Sequence, residues 1–344
     1  MKKRIAALVF GTFAMFTLFS CGGEKDKEPI DDPQVKDEIL TKAQTMFAVL
    51  PTSIENPENP ITPEKVALGK KLYYDTRLSK DGNNSCNSCH NLETYGVDNL
   101  PFSPGDKGEF GGRNSPTVLN AAFHFVQFWD GRAKDVEEQA AGPIVNPVEM
   151  AMPSPAFLEK RLNGVEEYRK EFKKVFPDSK KITITDVANA IGAFERTLIT
   201  PSRFDDYLAG KVEALNDQEK EGLKKFMDNG CITCHAGAQL GGNMYQKFGV
   251  YKPYWEATGS KKRDEGKFEV TSVESDKYFF KVPGLRNIEK TWPYFHDGSV
   301  EKLEDAVAIM ADVQLNKQLS QEDVNDIVAF LKTLTGEVPK SALN

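Results

Sequence analysis

The chain has 344 residues, 40% of them hydrophobic and 28% charged, with a formal net charge of −7. That length exceeds what one hydrophobic core ordinarily serves and points to two domains. The composition is that of an ordinary soluble protein, and the acidic balance offers no basic face for nucleic acid, so a nucleic-acid role is set aside.

In chain order, the first predicted element is an export signal. Met1-Lys2-Lys3-Arg4 is a basic opening and the run from Ile5 to Phe19 is apolar, the two parts of a secretory leader. The run is shorter than the roughly 20 residues that span a bilayer as a helix, and no later segment comes close. It ends in Leu18-Phe19-Ser20-Cys21, which resembles the lipobox of bacterial lipoproteins. Residues 1–20 are therefore expected to be a signal peptide, and Cys21 a lipid anchor on the periplasmic side of a membrane. A leader with a chance cysteine is the alternative. Residues 21–36, rich in Gly, Pro and charge, read as a flexible tether.

Thr62 then caps a predicted helix over Pro63 to Tyr74, followed by Cys86-Asn87-Ser88-Cys89-His90. Next come a Gly-rich loop from Val97 to Gly112, the pair Arg113-Asn114, and an aromatic run from Phe123 that includes Phe128-Trp129-Asp130-Gly131. A stripe of Val136, Ala140 and Pro143 precedes a closing helix with Val187, Ile191, Phe194 and Leu198 on one face. The second half runs in the same order. Asn216 caps a helix over Asp217 to Met227, with Glu219 completing a capping box. Then follow Cys231-Ile232-Thr233-Cys234-His235, Arg286-Asn287, Phe295-His296-Asp297-Gly298, the stripe Leu303, Val307, Met310, and a closing helix with Val324, Ile327, Leu331 and Leu334. This internal repeat predicts two related domains, 37–205 and 206–344.

C-x-x-C-H is the attachment signature of c-type haem: two thiols add to the porphyrin vinyl groups and the adjacent histidine becomes an iron ligand. The two copies lie 145 residues apart and use four of the five cysteines, leaving only Cys21 outside them. Disulfide and zinc readings are set aside on that pattern. Helix, haem motif, loop, helix and closing helix is the order expected of a cytochrome c domain. The expected fold class is therefore all-α, two cytochrome c-like haem domains carrying two covalently bound haem c groups.

The halves differ at one telling position. At an offset of 167 residues, Met310 in the second half is matched by Pro143 in the first. Methionine is a common sixth ligand that raises the iron's potential, whereas proline has no side-chain donor. The second site is expected to be closed by His235 and Met310, and the first to keep His90 with a vacancy opposite, where a peroxide can bind. Glu149, in the largely apolar segment Ile144 to Met150, is the candidate acid/base for breaking the O–O bond; a solvated loop glutamate is the alternative. Gln139 has a weaker claim as a hydrogen-bond partner. Trp129, matched in the repeat by His296, stands either near a haem edge, where an indole helps electrons pass, or simply in a core.

Several of these stretches carry a resemblance. Gly112-Arg113-Asn114-Ser115-Pro116-Thr117-Val118-Leu119-Asn120, Gln127-Phe128-Trp129-Asp130-Gly131-Arg132-Ala133, Gly142-Pro143, Val148-Glu149-Met150, Pro293-Tyr294-Phe295-His296 and Ala306-Val307-Ala308-Ile309-Met310 resemble the bacterial dihaem cytochrome c peroxidases. The likeness runs from about Thr62 to Gly336. It implies reduction of hydrogen peroxide to water at a low-potential N-terminal haem, with His90 proximal, Glu149 as acid/base, and Gln139 and Pro143 in support. It implies a high-potential C-terminal haem, with His235 and Met310, that takes electrons from a small cytochrome c or copper protein, and Trp129 between the two. It also implies a calcium ion between the domains, held partly by Asn114 and by backbone carbonyls of Thr291 and Pro293. A homodimer is left open.

One departure stands out. Members of that family usually carry a histidine in the Gly-rich loop, which caps the peroxidatic haem at rest. The loop from Val97 to Gly112 has none, and Asp106 stands near its place. The first haem is therefore expected to be open even when oxidised, with His124 as the alternative capping ligand. The competing functions are a dihaem electron carrier without catalysis, a MauG-like oxidase of a protein substrate, and a structural lipoprotein with haem as a folding aid. The MauG-type enzymes carry tyrosine in place of the methionine ligand, so Met310 favours the peroxidase.

Overall fold

Each half is built on a pair of helices whose ends are written into the sequence. The computed structural model describes residues 37–343, so the leader, the lipobox with Cys21 and the tether expected over 1–36 lie outside the described residues. In chain order the helices are α1 (Glu38–Met46), α2 (Pro63–Tyr73), α3 (Cys86–Cys89), α4 (Val136–Val145), α5 (Pro155–Asn163), α6 (Glu166–Val175), α7 (Ile184–Glu195), α8 (Arg203–Leu208), α9 (Asp217–Asn229), α10 (Tyr254–Thr258), α11 (Phe268–Thr271), α12 (Leu303–Leu315) and α13 (Gln321–Lys332). One antiparallel pair, β1 (Tyr245–Lys247) with β2 (Phe279–Lys281), is the only sheet among the described residues. The all-α expectation therefore holds, and no described helix is long and apolar enough to cross a membrane.

The predicted caps form. Thr62 Oγ1 accepts the Lys65 N–H at 3.2 Å, opening α2. Asn216 Oδ1 accepts the Glu219 N–H at 2.9 Å while Glu219 Oε2 accepts the Asn216 N–H, the reciprocal box that opens α9. These helices then cross the closing helices at glycines. A Cβ on Gly69 of α2 would fall 1.9 Å from the Ala190 carbonyl oxygen of α7, and one on Gly222 of α9 would fall 1.8 Å from that of Asp326 on α13. Only glycine permits so close a backbone approach.

Two apolar cores result. One gathers Leu72, Ile144, Leu158, Ile191 and Phe194; the other gathers Phe204, Phe226, Ile327, Phe330 and Leu331. The ends of the described chain cross over. Ala43 and Phe47 at the start pack into the second core, while Ala342 packs into the first, and Tyr74 Oη donates to the Ala342 carbonyl at 3.0 Å.

The repeat is legible in backbone detail. The bridge Gln127↔Ala133 recurs as Tyr294↔Val300, and the left-handed residues Asn120 and Phe128 recur as Asn287 and Phe295, all at the same offset of 167. Asn120 and Asn287 both donate their side-chain N–H to Thr200 Oγ1, at 2.7 and 2.9 Å. This register corrects one sequence pairing. Arg286-Asn287 is the structural partner of Leu119-Asn120, not of Arg113-Asn114; the shared Arg-Asn letters were coincidence. Arg113 instead ion-pairs with Asp130 and Asp264 at 2.5 and 2.6 Å, whereas Arg286 grips Asp205 at 2.7 Å.

Candidate functional site

Two cavities, of about 440 and 240 Å³, lie one in each half. Both are many times the ~30 Å³ of a water and so are not packing defects. Each is walled by one C-x-x-C-H motif. In the first, the turn is set by the Ser85 N–H donating to Ser88 Oγ at 3.0 Å and by the His90 N–H donating to the Cys86 carbonyl at 2.9 Å. In the second, the His235 N–H donates to the Cys231 carbonyl at 3.0 Å. None of the four is in a disulfide, so all are available for thioether attachment; burial raises the Cys86, Cys89 and Cys231 thiols above the ordinary value. Among the described residues no cluster of three or more His, Cys, Asp or Glu is arranged to hold a metal ion.

The imidazoles are set for ligation through Nε2. His235 Nδ1 lies 2.9 Å from the Leu240 carbonyl, with the Pro283 carbonyl also acting on the ring. His90 also has backbone carbonyls, of Gly96 and Pro116, beside its ring, but its buried Nδ1 makes no hydrogen bond to them. Burial holds both rings below the ordinary histidine value, which keeps a lone pair free. Two thiols and one neutral imidazole converging on a large cavity fit a covalently attached haem, twice.

Across the first cavity from His90 lie Gln139, Pro143 and Glu149. The helix α4 that carries the first two is clamped to α7 by a buried two-pronged ion pair, Arg196 Nε and Nη2 to Glu137 at 2.8 and 2.7 Å, with Asn59 Nδ2 also donating to Glu137. Gly192 leaves room for it, since a Cβ there would fall 2.6 Å from Glu137 Cγ. Pro143 lies inside α4 and has no N–H to give the Gln139 carbonyl one turn back. Glu149 follows in a tight turn, its N–H donating to the Asn146 carbonyl at 3.1 Å and its carbonyl accepting the Asp106 N–H at 2.7 Å. Burial raises its carboxyl above the ordinary value, opposed by Arg132. It is a half-buried acid in the cavity wall, beside Arg132 and Asn146.

Asp106 and His124 turn out differently from expectation. Asp106 is buried but does not line the cavity; its carboxylate accepts the N–H groups of Asp81 and Asn83 at 2.7 and 3.0 Å. It braces the turn that holds Glu149. His124 lines the second cavity rather than the first, so in this arrangement it does not cap the first site. His90 is the one histidine on the first cavity.

Sequence reading missed a second acid. Glu195, at the end of α7, also lines the first cavity and is buried to 4% exposure. Burial, with help from Glu137 and against Arg196, raises it to about 8, so it is protonated at neutral pH. Its signal was a carboxylate next to Phe194 on an otherwise apolar helix. Missed as well was Lys281, a buried amine in the wall of the second cavity.

The second cavity is completed by Met310 on α12, with Thr291, Pro293 and His296 nearby. Trp129 and Asn114 line both cavities. Trp129 Nε1 donates to the Asn114 carbonyl at 2.9 Å, and its ring meets that of His296 edge-on, centroids 6.3 Å apart. The wall between the cavities is itself twofold. The Asn114 N–H donates to the His296 carbonyl at 2.7 Å and the Lys281 N–H to the Trp129 carbonyl at 2.8 Å, each pair offset from the other by the 167 residues of the repeat.

An all-α chain with two such sites is a dihaem c-type cytochrome. Comparison with known proteins narrows this. Residues 63–213 match the family model for di-haem cytochrome c peroxidase, and residues 220–335 that for cytochrome c. Cytochrome c551 peroxidase of Nitrosomonas europaea is 50% identical over 82% of this chain and 84% of that one. The same-named protein of Pseudomonas aeruginosa is 48% identical over 88% of each. Among solved structures, a MauG-like protein associated with microbial copper homeostasis superposes with a TM-score of 0.73 at 28% identity, over 86% of this chain and 97% of that one. The chain belongs to the dihaem cytochrome c peroxidase family.

Proposed function

We propose that the protein reduces hydrogen peroxide to two waters, consuming two electrons and two protons, with the electrons entering from a small cytochrome c or copper protein at the second haem and being used at the first. When bound, the haem groups supply iron that passes one electron at a time and, where a coordination position is free, takes up peroxide. His90 and His235 would each hold one iron from the cysteine side, and Met310 would close the second. The observation that carries this reading is the pair Pro143 and Met310, at equivalent points of α4 and α12, each lining the cavity that holds its half's C-x-x-C-H motif. The methionine also favours a peroxidase over a MauG-like oxidase, and the proline at the first site argues against a carrier with both irons closed.

Glu149 serves as the acid/base. With haem and peroxide in place, its carboxylate would accept a proton from one peroxide oxygen and return it to the other as the O–O bond breaks, a role that its raised affinity for a proton suits. Gln139, from one turn before Pro143, orients the peroxide by hydrogen bonding. Trp129, reaching both cavities, sits on the electron route. The first site stays open in the oxidised protein, since His90 is its sole histidine.

A calcium ion between the halves is supported by free oxygens. Asn114 spends its side-chain N–H on the Leu100 carbonyl at 2.9 Å, which leaves its Oδ1 available. Asn99 holds the facing segment through the Lys290 and Trp292 carbonyls at 3.1 and 2.8 Å, leaving the carbonyls of Thr291 and Pro293 unengaged. Residues 37–205 and 206–344 act as the peroxidatic and electron-receiving domains. Export to the periplasmic side and anchoring through Cys21 complete the reading, with homodimerisation as its remaining extension.

The test is steady-state peroxide turnover with reduced donor, native against Glu149→Gln. Loss of the acid/base is expected to cost roughly 10²- to 10⁴-fold, while the single electron transfer from reduced donor to the second haem, followed without peroxide, stays normal. An unchanged rate would remove Glu149 from the mechanism.

A further inference from the structure

Lys281, at the end of β2, is 4% exposed, and burial alone acts on its amine: no carboxylate reaches it. Its Nζ lies 3.0 Å from Nδ1 of His124. That ring is fixed in place by two glycines, since a Cβ on Gly242 would fall 2.2 Å from its Cδ2 and one on Gly284 would fall 3.0 Å from its Nε2. Both side chains line the second cavity together with Cys231, His235 and Met310.

An ammonium has three hydrogens to donate, and His124 receives one. Burial lowers the amine to about 8 and takes the imidazole far below its ordinary value, so the lysine holds the proton of the pair. A buried charge needs an opposite charge beside it, and among the described residues there is none. Haem carries two propionate carboxylates. We propose that Lys281, steered by His124, is the counter-ion of a propionate of the second haem, and that its fixed charge raises that haem's reduction potential above that of the first.

The repeat supplies the internal control. Lys281 donates its N–H to the Trp129 carbonyl just as Asn114 donates its own to the His296 carbonyl, so Asn114 is the structural equivalent of Lys281 in the first half. The same wall position is cationic beside one cavity and neutral beside the other. A cation near an iron favours the state with one more electron, and at low dielectric that effect is large. Electrons arriving at the second haem are thereby met by a site that holds them.

The proposal rests on the second cavity holding haem, so covalent haem content by mass is measured with it. Potentiometric titration of the holoprotein then follows each haem, the second through its methionine-ligated spectrum. Lys281→Met is expected to lower the second potential and leave the first where it was, and Lys281→Arg to keep both near native. An unmoved second potential, or an equal shift at both haems, overturns the proposal; with two haems still attached, it leaves the peroxidase reading standing. If Lys281→Met does not fold, Lys281→Gln keeps a donor towards His124 without the charge and is read in the same way.

Discussion

The first cavity gathers buried acids, Glu149 and Glu195, with Arg113, Arg132 and Lys262 also in its wall, while the second gathers the nitrogen side chains His124, His296 and Lys281. The chain path around them is the same down to the left-handed asparagines and the exchanged backbone hydrogen bonds. What distinguishes the sites is therefore side chains set into equivalent positions: Pro143 against Met310, Asn114 against Lys281, Trp129 against His296. The helix facing each cavity differs in support as well. The first half clamps α4 with the buried Glu137–Arg196 pair, and the residues at the corresponding points of the second half are Glu304 and Lys332, which form no ion pair with each other. Proton chemistry needs an acid held still beside a vacancy; electron storage needs a closed iron and a favourable charge. One fold, duplicated, has been furnished for each.

The sharpest way to break the contrast is Pro143→Met, which places in the first half the thioether of the second. Peroxide turnover is expected to fall to background, with the oxidised first haem becoming six-coordinate and low-spin by optical and paramagnetic resonance spectra. Persisting turnover would place the vacancy elsewhere. Next in size is the scaffold that the halves share. Gly69→Ala and Gly222→Ala each drive a methyl into a carbonyl of the crossing helix, and each is expected to cost about 1–3 kcal/mol or more in denaturant unfolding. A loss in one half alone would show that the two crossings are not equivalent.

The smallest effect concerns Glu195. Its carboxyl ionises at an ordinary value when the chain is unfolded but is raised to about 8 when folded. Its contribution is full at acid pH and is lost as the pH rises towards 8, because the unfolded chain releases that proton first. Glu195→Gln is expected to flatten the decline in stability between about pH 5 and 8, measured by denaturant midpoints. A slope equal to the native one would mean that Glu195 is already ionised in the folded protein.

Much of this was legible in the linear chain because it is local chemistry. The C-x-x-C-H turns, the Thr62 and Asn216 caps and the apolar stripes of α7 and α13 are short-range patterns, and each formed where expected. Comparing the halves as an internal alignment also exposed Pro143 against Met310. The same comparison failed at Arg113-Asn114 because matched letters are weaker than matched backbone, and only the bridges at 127–133 and 294–300 set the register. His124 was only the alternative cap; eleven residues of chain past Arg113 do not say which cavity a ring enters, and it lines the second.

The sequence by itself determined that there are two haem sites, that they are kindred and that one lacks a methionine, since covalent attachment and ligand identity are properties of residue type and spacing. Tertiary structure alone decided that burial raises the Glu195 carboxyl, that Asp106 is a brace and that Lys281 meets no carboxylate among the described residues. Those depend on burial and on what lies opposite, quantities that exist only once distant segments have packed together.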